Sequence, residues 1–439
     1  MTNTDTESEA AVSAGQSDPT DAEKMHIGGG HLDRRRAQSL LADAGADALL
    51  LLTRQSIKYA TGADAGPVTL FDKAGSAFVV IPADAGDPPS AIIGDFGAMT
   101  FAARSGIADV RPFPTWIETA DITGFAGQDL SLREKLALAD RPPGRQRPAT
   151  FEPERTFALL NDVLADRGLA SAVIAIETDG LTAAESAAIK RACPNVRWLD
   201  GGPLLARLRM IKSDAEIAIL TRAAAAAEAG MRRAQASIAA GVSGNALADI
   251  WRAAALDHAA TLCPGMPLDT WSSVASGSDA FSGNRPVQHG DTIKFDVGVV
   301  IDGYSSDSAR TFAWRQPPDE VSDLFKTMLE AHAAAVDAVA VGNPLGEIHR
   351  AAITVMHRAG FDSYHRGHFG HGLGASSFVE QWPFIGPGET EPVAPGMVLA
   401  VEVPWYIQGL GALMVEDQFV ISERGPQRAW TLPRDLVVV

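Results

Sequence analysis

Cysteine is nearly absent from this 439-residue chain, which carries only Cys193 and Cys263, 70 positions apart and each followed by proline. That spacing suits neither a zinc knuckle nor a CxxC redox pair, so both thiols are read as buried and free. Long hydrophobic runs are missing too. No stretch of about 18 apolar residues occurs, which argues against a membrane-spanning helix. Basic runs are also lacking: 37 Lys and Arg stand against 54 Asp and Glu, a formal net charge of -17. With nothing to neutralise a row of phosphates, nucleic acid is excluded as a partner. The opening "MTNTDTESEAAVSAGQSDPTDAEK" has neither the cationic start nor the apolar core of a secretion signal. Asp5, Glu7, Glu9, Asp18, Asp21 and Glu23 outweigh Lys24 there, so residues 1–25 are expected to be a disordered acidic tail on a cytoplasmic protein.

What is present, 46% hydrophobic and 21% charged, is ordinary for a soluble protein and too long for one small core. Two domains are expected. Residues 26–202 alternate helix and strand, from the amphipathic "HLDRRRAQSLLADAGA" and the apolar "DALLLLT" through "AFVVIPA" and "AIIGD" to "SAVIAIET" and "VRWLD". That alternation predicts an α/β layer. Residues 203–439 begin with a long helical run in which Ser213 serves as N-cap and Glu216 completes a capping box. Further helices are expected from Asp319 and from Leu345. The β-rich segments "DTIKFDVGVVIDGY", "SARTFAW", "GMVLAVEVPWYI" and "ALMVEDQFVIS" lie between and after them, the pattern of an α+β domain.

Chemistry gathers in that second part. Asp296 and Asp307 lie on two runs joined by a turn at Asp302-Gly303, so a hairpin brings both carboxylates to one place. Glu402 interrupts the apolar strand "LAVEVPWY", and Glu416 does the same in "LMVEDQFVI". An unpaired buried carboxylate costs several kcal/mol or shifts its pKa, so acids at core positions call for a cation. With His371 in the glycine-rich "FGHGLG", they form a ligand set suited to two divalent ions such as Mn, Co, Fe or Zn.

Asp296 in "FDVG", Asp307 in "SSDSART", His371 in "GHGLG", Glu402 in "VEVP" and Glu416 in "VED" resemble, in order and context, the metal-binding pattern of the M24 or pita-bread family. That family includes methionine aminopeptidases, Xaa-Pro aminopeptidases, prolidases and creatinases. The resemblance implies a C-terminal pita-bread domain over residues 203–439, preceded by a creatinase-type α/β domain, in a homodimer of two-domain chains. It further implies hydrolysis of an amide or peptide C-N bond in a small amino-acid-like or dipeptide substrate, with Glu402 as both ligand and proton shuttle.

The departures are as informative. Family peptidases have a histidine where this chain has Phe378, and another before the first aspartate, for which His289 is no obvious substitute. Met414 stands where prolidase-like members carry arginine. The ligands are kept while the peptide-handling histidines are lost. Phe378, Trp382, Trp405 and Tyr406 are candidates for an apolar substrate wall, and His368 is a candidate proton donor. Two other readings stand beside the hydrolase. One is a lyase similar to the dimethylsulfoniopropionate lyases of the same fold, although Gly298 stands where those are expected to carry an aspartate. The other is a non-catalytic binding module.

Overall fold

The computed structural model describes residues 25–139, 147–375 and 380–439. The expected tail through Lys24 and the candidate Phe378 lie outside the described residues.

Six strands form the first sheet: β1 (Ala48–Leu51), β2 (Phe78–Pro82), β3 (Ser90–Gly94), β4 (Asp109–Phe113), β5 (Val173–Ile176) and β6 (Arg197–Asp200). Their order is β4-β3-β2-β1-β5-β6. The sheet is mixed, because β1 pairs parallel with β5 but antiparallel with β2. Its helices are α1 (Arg34–Ala44), α2 (Arg54–Thr61), α3 (Asp95–Ser105), α4 (Leu132–Leu138), α5 (Pro153–Asp166) and α6 (Ala183–Ala192). Every residue of β1, β2 and β3 is buried, so these strands read as continuous apolar runs, as sheets covered on both faces do.

The predicted long helical run is two helices, α7 (Gly202–Met210) and α8 (Asp214–Gln235). Ser213 divides them: its side chain accepts from the Glu216 amide in the capping box, and an N-cap residue cannot continue a helix through itself. Three more follow, α9 (Gly244–Leu262), α10 (Asp319–Asp337) and α11 (Leu345–Arg358).

The second sheet contains β7 (Leu268–Ser276), β8 (Thr292–Ile301), β9 (Tyr304–Ser305), β10 (Ser308–Ala313), β11 (Gly370–Gly372), β12 (Gln381–Phe384), β13 (Val398–Ile407), β14 (Gly411–Ser422), β15 (Gly425–Arg428) and β16 (Val437–Val438). Its main path runs β12-β11-β13-β14-β10-β8-β7. Side chains alternate along a strand, and here the alternation separates two jobs. Phe295 and Val297 of β8 pack with Leu220 and Ala224 of α8 and Trp251 of α9. Val401 and Val403 of β13, with Leu413 and Val415 of β14, pack with Phe325 and Met328 of α10 and Ile348 of α11. The residues between them in sequence face the other way. Among the described residues no helix is long and apolar enough to cross a membrane.

The architecture is thus an α/β half followed by an α+β half, as the order of elements predicts.

Candidate metal centre

Strand register assembles the site. Asp302 and Gly303 both take positive φ, 52° and 90°, and turn β8 back on itself. Ala309 of β10 then lies opposite Asp296 on one side and Glu416 of β14 on the other. Glu416 lies opposite Glu402 of β13, and His371 of β11 opposite Ala400. Ala309 and Ala400 are small and sit between the polar groups. Gly370 is required for this arrangement: its φ is 143°, and a Cβ there would meet the Ala400 carbonyl oxygen at 2.0 Å. Any side chain would push β11, and His371 with it, away from β13.

Asp307, His371 and Glu416 converge most closely, each offering one ligand atom within 4.8 Å of the others, and all three are buried. Nδ1 of His371 lies 3.1 Å from the Gly372 carbonyl, to which it donates, so Nε2 is directed at Oδ2 of Asp307, 3.4 Å away. Oδ1 of Asp307 and both carboxylate oxygens of Glu416 are buried with no hydrogen-bond donor among the described residues. Burial raises the Asp307 pKa to about 7, against the opposing pull of His371 and with the help of Asp296. Burial likewise raises Glu416 well above the ordinary carboxylate range, with Asp307, Glu402 and Asp296 adding repulsion. His371 goes the other way: burial alone would lower it, but its hydrogen bond to and charge interaction with Asp307 raise it to about 9. Three orphaned carboxylate oxygens beside an imidazole nitrogen fit a divalent cation.

Asp296 and Glu402 belong to the same charge cluster but have protein cations of their own. Lys294 Nζ lies 3.4 Å from Oδ2 of Asp296, and Arg366 Nη2 donates to Oε1 of Glu402 at 2.6 Å. Burial raises the Asp296 pKa and Lys294 opposes the rise. His368 is half-buried, with Nδ1 3.3 Å from Oε1 of Glu402 and Nε2 3.6 Å from Oε2 of Glu380. Burial lowers its pKa, and Glu402 opposes that shift.

The aromatic candidates separate. Tyr406 shares the face of Glu402, its hydroxyl 3.3 Å from Lys294 Nζ and its ring stacked on Phe281. Trp405, one residue earlier, faces the helices and packs on Tyr364 and Phe361, so strand alternation removes it from the expected substrate wall. Trp382 lies under the Arg207 guanidinium of α7 and packs against the same helix-side core, again away from the acids. Phe384 also lies beside the site: it pairs with His371 in the sheet and places its ring 5.5 Å from that of His368. His289 is exposed, in line with its discounted role. Sequence reasoning missed Lys294, Arg366 and Phe384. Lys294 was detectable, because a lysine two positions before Asp296 in an alternating strand must share its face.

Residues 34–211 match the creatinase/prolidase N-terminal domain, and residues 218–423 match metallopeptidase family M24. Residues 218–423 are therefore an M24 domain. Relatives of this M24 hydrolase include a putative dipeptidase, YkvY, from Bacillus subtilis, 27% identical over 65% of this chain and 78% of that one. An Xaa-Pro dipeptidase from Lactobacillus helveticus is 26% identical over 66% of this chain and 78% of its own. Among solved structures, the Xaa-Pro dipeptidase from Bacillus anthracis superposes with a TM-score of 0.72 at 21% identity, covering 92% of this chain and 99% of that one. Dipeptidase PepE from Mycobacterium ulcerans gives 0.72 at 24%, covering 92% and 96%. At these identities the superpositions speak for the fold alone.

Proposed function

We propose that this M24 hydrolase is a dinuclear metal-dependent enzyme that cleaves the C-N bond of an amide or peptide in a small amino-acid-like substrate, with Xaa-Pro dipeptides the first class to test. The observation that carries the reading is the set of donor-free oxygens on Asp307 and Glu416 facing His371. Asp307, His371 and Glu416 would hold one divalent ion, and Asp296 and Glu402 would complete a second position. Mn, Co, Fe and Zn suit this oxygen-and-imidazole set. Such ions supply a Lewis acid for the scissile carbonyl and a water acidic enough to act as nucleophile near neutral pH.

The chain's own residues supply the rest. Glu402, oriented by Arg366, is placed to carry a proton towards the leaving amine, and His368 with Glu380 extends a polar path from it. Phe384 and Tyr406 give the site its apolar wall. The names of the relatives support a dipeptide substrate. The lyase alternative is disfavoured at Gly298, where a Cβ would meet Nε1 of Trp271 at 2.3 Å, so the indole occupies the space an aspartate would need.

Self-association is part of this reading. Leu70, Phe71, Phe96 and Met99 are exposed apolar side chains on segments that approach each other at Gly66 and Gly97. A homodimer is the expected partner, checked by mass in solution with Met99→Glu as the disrupting variant. A cytoplasmic location accords with Cys193 and Cys263, both buried and unpaired.

The test is a metal-loaded activity screen comparing Xaa-Pro dipeptides, small N-substituted amides and dimethylsulfoniopropionate, with metal analysis of the same preparation. Hydrolysis of either nitrogen-containing class, lost on chelation and restored by ions, is the expected result. Exclusive turnover of the sulfonium compound, or no ion bound after reloading, would overturn the proposal.

A further inference from the structure

We propose that the cavity between the two halves of the chain is a second binding site, built for a free amino acid with a large apolar side chain and distinct from the acidic centre. The inference does not depend on the metal-dependent reading above.

The cavity measures about 580 Å³, within the range of small-molecule sites, and lies at a junction between domains, where such sites concentrate. One wall is α2 of the first half, and the other is made by β7 and the β8–β9 turn of the second. It lies on the acid-bearing face of the sheet but further along. Val300 lines it, and four positions of β8 separate Val300 from Asp296, about 13 Å of strand. Trp271 stands between them: it lies opposite Gly298 in the sheet, and its Nε1 donates to the Ser305 hydroxyl at 2.8 Å, which fixes the indole.

Charge defines the ligand. Arg54 and Lys58 are one helical turn apart on α2 and so share a face. Arg54 directs Nε and Nη2 at a single oxygen, Oδ2 of Asp64, at 3.0 and 2.5 Å, which leaves Nη1 with no acceptor among the described residues. Lys58 donates to the Asp302 carbonyl at 3.1 Å and to the Asp302 carboxylate, using two of its three N–H groups. The two remaining donors, one on each side chain, match the two oxygens of a carboxylate. A plain anion is nevertheless a poor fit. Arg54 and Lys58 face Asp64, Asp269 and Asp302, two positive charges against three negative, and burial lowers the His31 pKa, which keeps that ring uncharged near neutral pH. Asp269 is exposed and accepts only from the Thr270 amide, at 2.7 Å, among the described residues. It calls for an ammonium beside the ligand's carboxylate. Trp271, Val300 and Ala375 supply apolar surface for a side chain. Carboxylate, ammonium and apolar body together describe a free amino acid.

The full-length protein is titrated by calorimetry with three probes, as purified and again after chelation: L-phenylalanine, 3-phenylpropionate, which lacks the ammonium, and phenethylamine, which lacks the carboxylate. L-Phenylalanine should bind with the same Kd within about threefold in both preparations, and at least about tenfold more tightly than either analogue. Arg54→Gln and Lys58→Met should each weaken it by about tenfold or more. Amide hydrogen exchange should slow on binding in both α2 and residues 267–271, because the ligand touches both walls. Absence of binding at about 10 mM, equal binding of 3-phenylpropionate, or affinity unchanged in both variants would overturn the inference. So would binding lost on chelation, which places the amino acid at the acidic centre instead. If a variant does not fold, the three wild-type isotherms and the exchange pattern decide.

Discussion

Glu416 and Asp417 are neighbours on β14 and face opposite sides of the same sheet. Asp417 is fully buried and accepts from Arg310 at 2.6 Å and from Arg434 at 2.5 Å, with Arg428 alongside. Burial would raise its pKa, but Arg310, His332, Arg428 and Arg434 together hold it below the ordinary carboxylate range. Glu416 is equally buried and has no donor among the described residues. The first half of the molecule follows the Asp417 pattern: buried Glu177 accepts from the Leu52 and Thr53 amides, both at 2.8 Å, and from the Thr53 hydroxyl at 2.7 Å. A buried acid kept for structure arrives with its partners built in. One kept for binding is left open.

The two faces are also mechanically joined. Arg310 reaches from β10 to the Glu416 carbonyl at 2.6 Å while pairing with Asp417, so the structural face fixes the backbone that presents the open carboxylate.

The strongest way to sharpen this contrast is to remove each acid separately. Glu416→Ala should reduce turnover of whichever substrate the screen identifies by about 10³-fold or more and sharply lower ion uptake, as metal analysis and steady-state kinetics would record. Urea unfolding of its metal-free form should show no loss of stability, because a donor-free carboxylate is a burden on the fold. Asp417→Ala should do the reverse. Stripping the partner from buried Arg310 is expected to cost about 3–5 kcal/mol in the same unfolding assay, while the surviving folded protein still binds ions. Equal destabilisation by both changes would break the distinction.

A smaller effect concerns pH. Asp307 and Glu416 have folded pKa values above their unfolded ones, so the stability they contribute is present below about pH 4 and is lost as pH rises, through about 7 for Asp307. His371, raised to about 9, contributes in the same direction, from its unfolded value near 6.5 up to about 9. Asp417 is lowered, so its contribution is present above about pH 4 and fades only as pH falls further. Chelator-treated protein should accordingly lose stability between about pH 5 and 8. Because ligands must shed their protons, Mn²⁺ affinity should rise over the same interval. Unfolding curves and ion titrations at several pH values would show opposite slopes, and parallel slopes would contradict the assignment.

The smallest expected effect is at the aromatic wall. Phe384→Ala should raise KM by about tenfold or less with ion uptake unchanged, whereas Trp405→Leu, in the helix-side core, should lower stability and leave KM alone. Kinetics alongside thermal unfolding would separate the two.

Much of this was legible beforehand because alternation is a local property. The strands around Asp296, Glu402 and Glu416 are recognisable from their own residues, and the Ser213 capping box needs only four positions. Alternation also condemned Trp405, had it been applied: Tyr406 shares the parity of Glu402 and Trp405 does not. The break between α7 and α8 follows equally from the capping signal at Ser213, which marked a helix start inside a run read as one helix.

Partnering between distant segments was not legible. The sequence by itself determined which positions carry acids on apolar strands, where the hairpin turns, and that a charge-rich face must alternate with an oily one. Only the tertiary structure decided that Arg310 and Arg434 would satisfy Asp417, that Lys294 and Arg366 would attend Asp296 and Glu402, and that no described residue would donate to Glu416. The physical reason is register. Glu416 meets Ala309 across more than a hundred residues of intervening chain, and whether a buried carboxylate finds a donor depends on which side chain the neighbouring strand delivers opposite it.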